Sequence, residues 1–530
     1  MKMVKSLLLG SAAGLVAVAG AQAADLPVKA KPVEYVKVCS IYGAGFWYIP
    51  GTDTCIKLGG WVRWEVGFGG AGNSHVPPII GGGGLNTLGT NDSPWRARWV
   101  LSTDVRTQTE YGTLRAYIRA GYQTTTGEST QGRIYTERGF IQFAGFTLGK
   151  SQSYFDFFGG AFCYGCGYLG NSSQTGAAGT LLAAYTASLG NGITATVSLE
   201  DSFMRRAALY DRSAEAANLL AIGTMPGPLT VADSYNIVPF GIGDYAGVQL
   251  PHLVGALRVD QAWGSAQIAG AVGQVRGNWY GNNSISGGGV AGLANTQVAP
   301  GEEVGWAVMG GLVLNAPMIG AGDRFYVEAT YTQGMMGYVG LSGGVVGTTN
   351  NYVRFNGANV AAAWAFDGVF SSGPTVAGVT PLSGLQLTDA WAITAAFEHY
   401  WTPNLRSALW GSYTSVDYNG TASDIICSSP IFTGAAGAVN VASPWGAGVR
   451  AVGCNPDFEV WGVGLRTIWN PVRNLDVGLE VMYAKIETAH AAGTPIAFAG
   501  SQAGRAAGTY LSSSEDTWSA LFRVQRYFWP

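Results

Sequence analysis

The sequence predicts an all-β fold, a transmembrane antiparallel β-barrel of about 16 strands, and three observations carry that expectation. Apolar and polar residues alternate with period two in segment after segment, from Cys55 to the last residues of the chain. After residue 23 no apolar run reaches the ~18 residues that a spanning helix needs, although the chain carries 17 Trp, 25 Tyr and 79 Gly. The alternating segments are joined in turn by short turns and long Gly- and Ser-rich loops. In lipid, where every backbone N–H and C=O must be satisfied internally, a closed barrel is the one solution besides a helix.

Lys2 and Lys5 precede an apolar run from Leu7 to Ala19, and Ala21-Gln22-Ala23 gives a small-x-small cleavage site. Residues 1–23 are expected to be a secretory signal, 24–54 an N-terminal extension and 55–530 one barrel domain. Only 12% of residues are charged, and loss of the two signal lysines takes the formal net charge from −3 to −5. That balance offers no nucleic-acid surface.

In the first strand Leu58, Gly60, Val62, Trp64, Val66 and Phe68 alternate with Lys57, Gly59, Trp61, Arg63, Glu65 and Gly67. In the second, Trp95, Ala97, Trp99, Leu101, Thr103 and Val105 face one way and Arg96, Arg98, Val100, Ser102, Asp104 and Arg106 the other. After the turn at 110–112, Leu114, Ala116, Ile118 and Ala120 oppose Arg115, Tyr117, Arg119 and Gly121. Further short turns fall near 144–145, 190–192, 263–264, 315–323, 401–405 and 470–474. With eight long loops, these seven turns join sixteen strands, though alternation is poor in strands 4 to 6 and fourteen or eighteen remain open.

The closing segment Thr517–Pro530 sets Trp518, Ala520, Phe522 and Val524 against Ser519, Leu521, Arg523 and Gln525, with Arg526 alone on the apolar register. A soluble β-sandwich also alternates, but it gives no reason for rings to collect at strand ends. Here Trp391 and Trp401 bracket one strand, and Trp461 and Trp469 another. Girdles at two membrane interfaces explain that placement.

The inward register carries Arg63, Arg96, Arg98, Arg106, Arg115 and Arg119, with Arg258 and Arg324 later in the chain. Burying six guanidiniums in a dry core costs several kcal/mol each, so the lumen must hold water or matching acids. Local pairing with Glu65, Asp104, Asp260 or Glu328 is the alternative to a field-forming wall. After the fifth strand comes SYFDFFGG, Ser153 to Gly160, and then FCYGC, Phe162 to Cys166, too apolar for a solvated loop. This third loop is expected to fold into the barrel and present Asp156 to Arg96, Arg98, Arg115 and Arg119 across the narrowest point; a packing surface between barrels is the other reading.

Six cysteines in an exported chain allow fifteen pairings. Sequence neighbourhood favours Cys39 with Cys55, Cys163 with Cys166 and Cys427 with Cys454. The four histidines (75, 252, 399 and 490) form no ligand cluster in the sequence, so no metal or cofactor is expected, and no paired His/Ser or His/Asp arrangement points to an enzyme. Trp61, Tyr117 and Tyr326 would form an aromatic track in a sugar-specific channel, and large loops would suit a surface-binding barrel.

The segment CSIYGAGFWYIPGTDTCIKLGGWVR from Cys39 to Arg63 resembles the N-terminal signature of the alphaproteobacterial porin family of rhizobia and their relatives. FIQFAGFTLGKSQSYFDFFGG, Phe140 to Gly160, is similar to that family's strand, turn and constriction-loop segment, and FRVQRYF to its closing strand. The resemblance implies a homotrimeric sixteen-stranded general porin, integral to the outer membrane and its lipid, passing small hydrophilic solutes and ions by passive diffusion. The chain departs from that pattern in ending Trp529-Pro530 after Phe528. Ion preference stays open: lumen arginines favour anions, and the net charge favours cations.

Overall fold

The computed structural model describes residues 37–69, 92–126, 132–159, 161–164, 169, 175, 179–212, 245–280, 299–341, 350–372, 382–435, 437–438, 440–445, 449–498 and 506–528. The expected signal at 1–23 and the Trp529-Pro530 end lie outside them. The chain divides into two compact units, Met1–Lys57 and Leu58–Pro530. In the first, strand Trp47–Tyr48 pairs with Cys55 and Ile56, and the Cys39–Cys55 disulfide closes a small core that includes Phe46.

The second unit is built on sixteen antiparallel strands. These are β1 (Thr54–Phe68, which begins in the first unit), β2 (Trp95–Thr109), β3 (Gly112–Thr125), β4 (Arg133–Phe143), β5 (Phe146–Ser151), β6 (Thr180–Gly190), β7 (Ile193–Glu200) and β8 (His252–Gln261). The remainder are β9 (Gly264–Arg276), β10 (Glu302–Asn315), β11 (Arg324–Gln333), β12 (Asp389–Thr402), β13 (Leu405–Asp417), β14 (Phe458–Trp469), β15 (Leu475–Thr488) and β16 (Glu515–Tyr527). Each pairs with its sequence neighbour, and Trp61–Phe68 of β1 pair with Ala520–Tyr527 of β16, which closes the barrel. Every backbone group of the wall can then find a partner without an open edge.

The seven turns fall where the sequence puts them, and three take a non-glycine residue with positive φ: Ala144, Asn191 and Asn474. The outer face carries exposed Leu58, Val62, Trp99, Leu101, Ile118, Leu257, Ile268 and Val463. Rings gather at its ends. On the loop side Trp391 packs on Tyr413 at 5.0 Å and Tyr483 on Trp518 at 5.1 Å; on the turn side Trp263, Trp401, Trp469 and Phe528 are exposed. Arg526, the cation on the apolar register, donates to the carbonyls of Arg473, Asn474 and Tyr527 at the turn end, where its charge is satisfied by backbone.

Irregularity in the fourth strand has a local cause. Arg119 pairs with Arg138 but Ala120 pairs with Thr136, so Glu137 is the extra residue of a bulge. One inserted residue breaks the period and turns Glu137 and Arg138 toward the same side.

The long loops are more ordered than their composition suggests. Asn350–Asn356 and Asn359–Phe370 form a hairpin that Ala208–Asp211, Gln386–Leu387 and Gly508–Ser512 extend. Its second strand, NVAAAWAFDGVF, is buried from Val360 onward and shares a core with the inward Ala390, Ala392, Ala408 and Ala484 of the barrel. Small residues on the wall leave room for a strand that is apolar on both faces. Two short helices, α1 (Gly420–Cys427) and α2 (Pro430–Thr433), cap the same core, with Asn419 and Ser429 as N-caps. The Cys427–Cys454 disulfide ties them down.

Candidate functional site

The alternation of β1 to β3 turns every second side chain to the inner face, and six of these are arginine: Arg63, Arg96, Arg98, Arg106, Arg115 and Arg119. Three carboxylates organise them. Glu65, itself buried, holds Arg96 at 2.6 Å, Arg523 at 2.5 Å and Arg63 at 3.7 Å. Glu137, delivered by the bulge, holds Arg119 at 2.6 Å and Arg98 at 3.6 Å. Nearer the turns Asp104 accepts both forks of Arg106 (2.8 Å) and of Arg115 (2.9 Å). Rings back the guanidiniums: Arg63 lies 4.2 Å from Trp61, Arg98 5.0 Å from Tyr135, and Arg115 5.1 Å from Tyr117. All six arginines named from the sequence therefore line one wall. The local pairs with Glu65, Asp104 and Asp260 also form, and on this wall the arginines outnumber the acids.

The opposite wall is covered. The third loop lies inside the barrel with Phe155, Phe157, Phe162 and Leu169 buried. Its backbone is held by inward side chains of the strands it crosses: Glu200 accepts from Tyr154 N–H, Gln267 donates to the carbonyls at 154–156, Arg466 donates to that of Ala161, and Glu480 accepts from Tyr164 N–H. Glycines of the wall make room for its rings. A Cβ on Gly311 would collide with Phe157, and one on Gly462 with Leu169. Tyr164 then lies 3.6 Å from the guanidinium of Arg523, which joins the loop to the arginine wall.

Asp156 is not where the sequence put it. The loop folds inward as expected, but the carboxylate is buried, takes the Arg205 guanidinium at 2.5 Å and accepts from Thr175 Oγ1 at 2.5 Å. Arg205 comes from the fourth loop, and its Nη1 also donates to the carbonyl of Gly337. Asp156 is thus a latch between loops, not a charge opposing Arg96, Arg98, Arg115 and Arg119. Nothing in the third loop's sequence signals this, because the partner lies 49 residues away.

Other expectations change as well. Tyr326 is buried beneath Phe158 and Phe162, so it cannot continue a track from Trp61 and Tyr117. A His/Asp pair does exist: His399 Nδ1 meets Asp323 Oδ2 at 2.7 Å, tying the turn before β11 to β12. His252 sits at the loop end of β8, against Tyr338 Oη. Cys163 is disulfide-bonded, while Cys166 lies outside the described residues. Arg258 pairs with Asp260 at the turn end. Glu137, Arg523 and Arg205 were not singled out from the sequence; Arg523 had the inward register as its signal, and Glu137 was hidden by the bulge. Among the described residues no group of three His, Cys, Asp or Glu could hold a metal ion.

A family model described as Porin subfamily matches residues 25–519. Porin Omp2b of Brucella abortus (strain 2308) is 33% identical over 287 residues, which is 51% of this chain and 65% of that protein. The Porin Omp2b of Brucella melitensis biotype 1 matches with the same identity and coverage. The alignment thus spans just under two thirds of these relatives' length. Among solved structures the outer membrane channel DcaP of Acinetobacter baumannii superposes with a TM-score of 0.50 at 14% identity, over 91% of this chain and 99% of that one. At that identity the likeness speaks for the fold alone.

Proposed function

The chain belongs to the Porin subfamily, and from that membership and the lumen's geometry we propose that it forms a water-filled channel for passive diffusion of small hydrophilic solutes and ions across the outer membrane. One observation carries the reading: the guanidinium wall of β1 to β4 stays partly open to solvent, with Arg119 35% exposed and Arg106 26%, while the opposite wall lies under packed loops. So many guanidiniums facing one side persist only beside water, since each would otherwise bear several kcal/mol of desolvation. The passage then runs between the third loop and the arginine wall, and sixteen strands enclose enough width for it. The assembled form proposed is a homotrimer, as the family resemblance implies.

Solute binding is not needed for this reading, and the burial of Tyr326 removes one member of the aromatic track that a sugar-specific channel would use. Proteoliposome swelling in neutral sugars of increasing size tests it. The expected rates rise in proportion to the gradient and fall smoothly with solute size. Saturation by one sugar would favour the solute-specific channel, and no swelling from folded protein would refute a pore.

A further inference from the structure

The two sides of the passage differ in charge. On one side seven guanidiniums (Arg63, Arg96, Arg98, Arg106, Arg115, Arg119 and Arg523) are bound to three carboxylates, Glu65, Asp104 and Glu137. Seven against three is a formal excess of four positive charges among these groups, and Arg138, which interacts with Glu137 and Arg119, adds a further cation at the β4 edge. On the other side the third loop, residues 152–179, contains a single acid, Asp156. Its side chain has no exposed surface and is paired with Arg205. The acids of the strands behind the loop are likewise engaged: Glu200 and Glu480 by backbone N–H groups of the loop, and Glu398 by Arg466 at 3.0 Å and Arg406 at 3.5 Å. Asp156 also acts on Arg138 at the β4 edge of the wall, so the loop's one carboxylate is engaged there and by Arg205.

We propose that the lumen wall selects small oxyanions, molecules carrying carboxylate or phosphate groups, and holds doubly charged ones in passing. This rests on the channel reading above. The excess charge of the wall has to be balanced by mobile anions, and a narrow passage between low-dielectric walls concentrates them. Guanidiniums add chemical preference, because parallel N–H donors match the paired oxygens of carboxylate or phosphate and have no such match with chloride; an oxyanion here shares them with the wall's own carboxylates, since Asp104 already takes the Nε and Nη2 donors of Arg106 and Arg115. The arginines also form a sequence of steps. Along β2 and β3 the register runs Arg98 opposite Gln123, Ser102 opposite Arg119, and Arg106 opposite Arg115, so cationic positions follow one another from the loop end to the turn end. An oxyanion leaving one guanidinium meets another within a few residues, and this multi-site arrangement lets binding coexist with flux.

The test is a planar-bilayer recording of the full-length protein under a potassium chloride gradient, followed by addition of inorganic phosphate or succinate at neutral pH. The expected reversal potential is on the anion side, and millimolar phosphate or succinate lowers the chloride current, with the divalent species more effective than acetate. The double substitution Arg98→Gln and Arg119→Gln should retain conducting steps while the anion-to-cation permeability ratio falls by at least about threefold and the block weakens. The wild-type arms need no variant, so misfolding of the double variant leaves the test intact. Conducting steps that prefer potassium, or that ignore phosphate and succinate, would overturn this inference and leave the pore standing. No steps at all from folded barrels would remove both.

Discussion

Replacing Glu65 by Gln removes the charge on which three arginines converge, and the geometry gives the size of the effect. The carboxylate is 1% exposed and lies 2.6 Å from Arg96, 2.5 Å from Arg523 and 3.7 Å from Arg63. Breaking a buried pair by removing one partner costs about 3–5 kcal/mol, because the remaining charge is left uncompensated. Here three guanidiniums would repel one another, and Arg96 and Arg523 are themselves buried, so the cost should fall within that range, about 3–5 kcal/mol. Gln keeps the shape and one acceptor, so the loss reports charge and not volume. Urea unfolding of the vesicle-inserted barrel, followed by tryptophan fluorescence, measures it. Glu487→Gln on the outer face, where the carboxylate pairs with Lys485 at 2.9 Å in an exposed position, is the comparison and should cost about 0–1 kcal/mol. If Glu65→Gln changed stability by less than about 0.5 kcal/mol, the wall would not be organised by this carboxylate and the argument would fail.

Gly311→Val should displace Phe157 and with it the third loop, raising single-channel conductance; an unchanged conductance would mean that the loop does not narrow the passage. Replacing Cys427 and Cys454 by Ser should weaken the α1–α2 cap by about 3–4 kcal/mol on the loop-entropy account for a separation of 27 residues, and limited proteolysis should then cut within residues 418–457 while the barrel stays folded. Asp367 lies in the buried hairpin and accepts from Ala207 N–H, Met336 N–H and Tyr245 Oη. Burial pushes its carboxyl up to about 7 from 3.8 in spite of those donors. With the folded value raised, the folded state binds the extra proton between about pH 4 and 7. The hairpin's stability should therefore be greatest at the acid end of that window and fall as the pH rises through 7. Hydrogen exchange of residues 359–370 at pH 5 and pH 8, expressed as protection relative to the intrinsic rate at each pH, checks the direction; lower protection at pH 5 would contradict it.

The barrel wall was legible because two solvents write it. Lipid on one face and water on the other force the period of two, so Trp518 and Arg523 declare their sides without any tertiary knowledge. Turns were legible from Gly and Asn, which accept positive φ, as at Asn191 and Asn474. Where a strand meets protein on both faces the signal vanishes: Asn359–Phe370 is nearly all apolar and reads as part of a long loop, yet it is a strand buried from Val360 onward. The bulge at Glu137 erased the period locally and hid one of the three carboxylates that hold the arginine wall. The fate of Asp156 was out of reach for another reason. Its partner Arg205 belongs to a different loop, and only the folded loops bring the two side chains together.

The central claim is that an open, hydrated passage runs along the arginine wall past the third loop. Single-channel recording of the purified, unheated protein in a planar bilayer tests it most directly. The account predicts large ohmic steps whose conductance rises with salt concentration; folded barrels that insert and carry no current would contradict it, and would mean that the inward loops close the lumen.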